Sequence, residues 1–80
     1  MPVQFKPAAV KDLAGLDAGI AGRIRVALTE YDRTASGDVK RLKGSHDVLR
    51  LRVGDYRVLM TNNAGLIDVL RIRHRREVYR

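Results

Sequence analysis

Eighty residues carrying sixteen Lys or Arg against nine Asp or Glu, with no Cys and no Trp, make a small basic chain of formal net charge +7 at pH 7. A chain of this length buries about 60% of the surface its unfolded form exposes, which supports one two-layer core, so a single domain over residues 1–80 is expected. Without Cys there is no disulfide frame and no thiolate zinc site; the apolar runs fall far short of the roughly 18 residues that span a bilayer, and Met1-Pro2-Val3-Gln4-Phe5-Lys6 lacks an export signal, so a cytoplasmic protein with no membrane partner is predicted.

Val3 and Phe5 alternate with Gln4 and Lys6, which predicts a short first strand. Pro7 suits the first position of a helix in which Val10, Leu13, Ala14 and Leu16 recur at helical spacing. Asp17 is placed to cap a second helix, where Ile20, Ile24, Leu28 and Tyr31 form one apolar stripe. Gly19 and Gly22 each weaken that helix by up to about 1 kcal/mol relative to Ala, so it depends on tertiary packing. The segment Thr34-Ala35-Ser36-Gly37-Asp38 is predicted to end it in a loop. Lys40, Arg41 and Lys43 are assigned to the same irregular stretch, suited to steering a nucleic-acid backbone, and His46 beside Asp47 to a structural role.

Beyond the loop the apolar period becomes two. Val48 to Val53 and Tyr56 to Thr61 alternate on either side of Gly54-Asp55, a two-residue hairpin signal. Asn62-Asn63-Ala64-Gly65 is a second turn, and Leu66 to Arg73 is apolar on both faces, as a central strand is. The predicted fold is α+β, in the order β-α-α-β-β-β, an antiparallel sheet with the N-terminal helical hairpin packed on one face.

The charge is unevenly placed. Residues 1–39 hold five basic and five acidic side chains, whereas from Lys40 onward eleven basic residues, all but Lys40 and Lys43 being Arg, stand against Asp47, Asp55, Asp68 and Glu77. A two-residue turn at Gly54-Asp55 pairs Arg52 with Arg57 and Arg50 with Leu59. That turns Leu49, Leu51, Val53, Tyr56, Val58 and Met60 toward the helices and Arg50, Arg52 and Arg57 toward the open face. Like charges directly opposite on a sheet are destabilising, and an anion relieves them; Asp68 or Asp55 is the internal alternative. Guanidinium forks match phosphate oxygens, so nucleic acid is the favoured ligand class and an acidic protein the other. The C-terminal run Arg71-Ile72-Arg73-His74-Arg75-Arg76-Glu77-Val78-Tyr79-Arg80 adds five Arg, a His able to move a proton near pH 7 and a Tyr able to stack on a base. There is no Gly-rich phosphate loop. His46 and His74 without Cys predict no dedicated metal site and no cofactor, and Ser36 and Ser45 have no evident triad partners.

The ordered set Leu42-Lys43-Gly44, Leu49-Arg50-Leu51-Arg52-Val53-Gly54-Asp55-Tyr56-Arg57-Val58 and His74-Arg75-Arg76-Glu77-Val78-Tyr79-Arg80 resembles the RelE/ParE toxin superfamily, and its RelE branch in particular, over nearly the whole chain. The resemblance implies the toxin of a type II toxin–antitoxin module that cleaves mRNA in the ribosomal A site. A cognate antitoxin would lay an acidic segment over the basic face, with DNA bound only through the toxin–antitoxin complex. It implies roles for Arg50, Arg52, Arg57, Arg75 and Tyr79; joined to the reading of the residues themselves, this gives Arg57, Arg75, Tyr79, His74 and Arg52 as the catalytic group and Arg50, Arg52, Lys43, Arg41, Arg73 and Arg76 as RNA-binding. Where the family's well-studied members carry Lys, this chain has Arg50 and Arg52, which keep their protons; the general base is left to His74 or Tyr79. Two alternatives stand beside this: a ParE-type toxin that inhibits DNA gyrase by binding, and a non-catalytic RNA-binding member.

Overall fold

The computed structural model describes residues 3–44 and 47–78, the last two by backbone alone. His46 and Tyr79 lie outside the described residues. The elements are β1 (Val3–Phe5), α1 (Pro7–Ala14), α2 (Ala18–Thr34), β2 (Asp38–Arg41), β3 (Leu49–Val53), β4 (Tyr56–Asn63), β5 (Leu66–His74) and the short α3 (Arg75–Val78). They build one five-stranded sheet in the order β1-β5-β4-β3-β2.

The α+β prediction holds with two corrections. First, Asp38–Arg41 is a strand, antiparallel to β3, where a loop was expected. Val39 is its only apolar residue, so no alternation announced it; an outer strand needs little burial, and its charges suit an unpaired edge. Second, β1 runs parallel to β5, with Val3, Gln4 and Phe5 opposite Ile67, Asp68 and Val69. The sheet is therefore mostly, not wholly, antiparallel. β1 and β2 occupy opposite edges, so the two helices carry the chain across the sheet and the β2–β3–β4–β5 run of antiparallel neighbours brings it back beside β1.

Local chemistry explains the helices. Pro7 sits in the first turn of α1, where its missing N–H is no loss, and the Asp17 carboxylate accepts the Gly19 N–H at 3.0 Å to cap α2. The α1 stripe begins one residue earlier than Val10. Ala9 is buried and Val10 is 52% exposed, because Ala9 lies four residues before Leu13 on the packed side. On α2, Ala21, Ile24 and Leu28 are buried, with Ile20, Ala27 and Tyr31 packed beside the core. The Tyr31 hydroxyl accepts from Asn62 Nδ2 at 3.2 Å and so ties the last turns of α2 to β4.

The hairpin register is the one the sequence predicts: Val53 opposite Tyr56, Arg52 opposite Arg57, Leu51 opposite Val58, Arg50 opposite Leu59 and Leu49 opposite Met60. Gly54 takes φ 58°, which an L side chain adopts only at a cost. The second turn is tighter than expected. Asn63 pairs with Leu66, leaving Ala64 and Gly65, both at positive φ, as its two central residues. Leu51, Val58, Met60, Ile67, Val69 and Ile72 form the sheet half of the core beneath Ala9, Ile24 and Leu28.

Candidate phosphate-binding face

Register carries residues from four strands into straight rows. One row, Val39, Leu51, Val58 and Ile72, faces the helices, and its last three members are buried. The next row, Asp38, Arg52, Arg57 and Arg73, projects from the other side, and a third, Lys40, Arg50, Leu59 and Arg71, runs beside it. Three guanidinium groups thus stand side by side on β3, β4 and β5.

Arg57, at the middle of that row, is 4% exposed, and its Nε is buried without a hydrogen-bond partner. Among the described residues its one bond, from Nη1 to the Tyr56 carbonyl, is long at 3.4 Å. Among the described residues no carboxylate pairs with it. A buried cation flanked by Arg52 and Arg73 is unfavourable in the isolated protein, and an anion placed over the row reverses the sign of that interaction.

Asp38 and Asp55 are engaged elsewhere, and Asp68 lies at a distance. Asp38 binds Arg50, Oδ1 to Nη2 at 3.2 Å. Asp55 lies 4.0 Å from Arg75 Nη1, while its backbone oxygen accepts the Arg75 N–H at 2.7 Å. Asp68 is opposite Thr61 and Gln4, rows away from Arg57. Neither Asp68 nor Asp55 offsets Arg57, as the sequence had allowed.

Arg71 is held from the side by α1. Its Nε and Nη2 donate to Asp12 at 2.8 and 3.2 Å, and Asp12 also accepts the Ile72 N–H at 2.9 Å. The Arg71 hydrogen bonds lower the Asp12 pKa below the ordinary carboxylate value; burial works against them and the Ile72 N–H adds to them. This link between α1 and β5 was not legible in the sequence, since the partners are 59 residues apart.

The site residues predicted from sequence therefore divide. Arg50, Arg52, Arg57 and Arg73 share the open face. His74 does not join them: it pairs with Tyr56 on the helix side, their rings edge to face at 5.2 Å, and its Nδ1 accepts the Arg76 N–H at 3.3 Å. Arg75 opens α3 beside the Gly54-Asp55 turn, and with Arg76, His74 and Asp55 it lines an open cleft at that end of the sheet. Arg41 is opposite Leu49, on the side away from Lys40 and Arg50, and Lys43 sits in an exposed turn.

A family model described as the ParE toxin of the type II toxin–antitoxin system parDE matches residues 3–79. The chain belongs to the ParE/RelE family of type II toxins. The toxin is 34% identical over 84 residues to Toxin RelE3 of Methanocaldococcus jannaschii, an alignment covering 99% of this chain and 96% of that protein. It is similar to a chain of the RelB-RelE antitoxin-toxin complex from Methanococcus jannaschii, with a TM-score of 0.76, 31% identity and coverage of 94% and 93% of the two chains. The archaeal RelE-RelB complex from Pyrococcus horikoshii gives a TM-score of 0.74 at 27% identity over 91% and 92%. The isolated RelE toxin of E. coli shares the fold, with a TM-score of 0.75 at 19% identity over 96% of this toxin and 88% of that chain. Among the toxin's described residues no helix is long and apolar enough to cross a membrane.

Proposed function

We propose that the toxin is an endoribonuclease that cleaves mRNA in the ribosomal A site, with Arg57 and Arg73 as its phosphate clamp. The observation that carries this reading is the buried guanidinium of Arg57, lying between Arg52 and Arg73 with no carboxylate partner among the described residues. In such a cleavage the ribose 2′-oxygen attacks the adjacent phosphorus, the bond to the 5′-oxygen of the next nucleotide breaks, and the products end in a 2′,3′-cyclic phosphate and a 5′-hydroxyl. The pentavalent intermediate carries extra negative charge on its equatorial oxygens. Donors already fixed and partly desolvated at that position stabilise it without reorganising, which is worth a factor of about 10² to 10³ for each donor. Arg73 takes the role that the resemblance assigned to Arg75, because it is the cross-strand partner of Arg57 whereas Arg75 lies past the end of the strand.

Arg52, in the row, and Arg50, beside it, meet flanking phosphates. Being permanently charged, they orient and neutralise; they do not abstract the 2′-hydroxyl proton. His74, on the opposite side of the sheet, is not positioned to do so in this arrangement, which leaves that step to Tyr79 or to ribosomal groups. The same face suits an acidic antitoxin segment, as charge complementarity favours encounter and competes with RNA. The relatives crystallised as RelB-RelE complexes support an antitoxin partner of this kind.

The ParE description of the matching family model favours one second reading, inhibition of DNA gyrase by contact. Primer extension on ribosomes programmed with a defined message, run beside a gyrase supercoiling assay, tests both. Cleavage within the A-site codon and unimpaired supercoiling support the ribonuclease; intact message with blocked supercoiling overturns it in favour of gyrase.

A further inference from the structure

We propose that Asp38 is a positioning residue of the phosphate clamp, holding the Arg50 guanidinium beside the Arg52–Arg57–Arg73 row; this rests on the ribonuclease reading above. Asp38 is the first residue of edge strand β2 and the cross-strand neighbour of Arg52. Its Oδ1 receives Arg50 Nη2 at 3.2 Å, diagonally across the β2–β3 pair. The two side chains differ in burial: Arg50 is 16% exposed and Asp38 47%.

Arg50 needs such a tether. Its neighbours on the open face are Lys40 on β2, Leu59 on β4 and Arg52 two residues along its own strand, with Arg57 diagonal to it. Every charged group in that set is cationic, and the Arg50 Nε is buried with no partner. The Asp38 carboxylate is the group that opposes their repulsion and holds the guanidinium beside the row. Across the two open-face rows from β2 to β5, Asp38 is the one carboxylate.

Stability does not account for it. A half-exposed ion pair contributes about 0–1 kcal/mol to folding. On a surface that attracts a polyanion, a carboxylate weakens the field and is a net disadvantage for binding. What it supplies is geometry. A guanidinium held in place before RNA arrives meets a phosphate without first being ordered, and a displacement of about 1 Å in such a group costs up to a hundredfold in rate.

The two roles predict opposite signs, so Asp38→Asn separates them. We expect a lower KM, since a negative charge has left the RNA-binding face, together with a kcat reduced about tenfold. Asp38→Glu should recover most of kcat, and in an Arg50→Ala background Asp38→Asn should have no further effect on kcat. Alongside, NMR of the Arg50 guanidinium should show slow rotation and separate Nη signals in the wild type and averaged signals in Asp38→Asn. An unchanged or raised kcat in Asp38→Asn, or an Arg50 guanidinium already averaged in the wild type, overturns the proposal while leaving the ribonuclease intact. A wild type that does not cleave message overturns both.

Discussion

The two sides of the β3–β4–β5 sheet are built by the same backbone in the same register and differ by a single step along each strand. One step presents Leu51, Val58 and Ile72, buried against the helices; the next presents Arg52, Arg57 and Arg73. The first row satisfies itself, since apolar side chains bury one another with no partner of special chemistry. The second does not, because Arg57 is buried between two further cations with its Nε unpartnered and with no carboxylate beside it among the described residues. The core and the proposed site are thus interleaved at a spacing of one residue, and the two rows should respond to substitution in separable ways.

The largest separation is expected between Leu51 and Arg57. Leu51→Ala removes a fully buried side chain and should cost about 2–5 kcal/mol of stability by urea denaturation, much of what an 80-residue domain has, with activity falling only as the folded fraction falls. Arg57→Ala and Arg73→Ala should each lower single-turnover cleavage on programmed ribosomes by about a hundredfold or more, close to 2.7 kcal/mol of barrier, with the fold kept. Arg75→Ala sharpens the comparison: as its guanidinium lies beyond the row, its loss should be about tenfold or less in the same assay. Equal losses for Arg73 and Arg75 would move the clamp toward the cleft beside α3.

A smaller effect is expected where α1 fastens the sheet. The Asp12 pKa is lowered on folding, so its contribution is present above the ordinary carboxylate range and is lost as pH falls through and below about 4. Asp12→Asn should cost about 1–2 kcal/mol at pH 7 and flatten the acid limb of the stability-versus-pH curve. Smallest is the second turn, where Ala64→Gly relieves a left-handed alanine at φ 53° and should raise stability by about 0.5 kcal/mol in the same denaturation.

Much of this was legible in the sequence for one physical reason: a period of two assigns sides. Once Gly54-Asp55 closed the hairpin, the positions of Arg50, Arg52 and Arg57 followed from counting, and the observed register agrees residue for residue. Three kinds of feature escaped. Asp38–Arg41 has one apolar residue, too few for alternation to register, so β2 and its Asp38–Arg50 pair were hidden in an expected loop. The C-terminal residues were assigned to the site by side-chain chemistry and motif instead of by face. Counting along β5 from Ile72 puts Arg73 with Arg57 and His74 with Tyr56, and β5 continues to His74, one residue past the predicted end. The Asp12–Arg71 link had no local signal, since both residues read as ordinary surface charges until β5 was placed beside α1.

The claim on which this account turns is that Arg57 is kept buried for an anion and not for the fold. Arg57→Met tests it in one variant, replacing an unpaired buried cation by an apolar chain of similar length. The account predicts a melting temperature higher by about 4 °C or more, as expected for about 1 kcal/mol gained by a domain of this size, together with message cleavage lowered at least a hundredfold. A lower melting temperature with cleavage near the wild-type rate would contradict it.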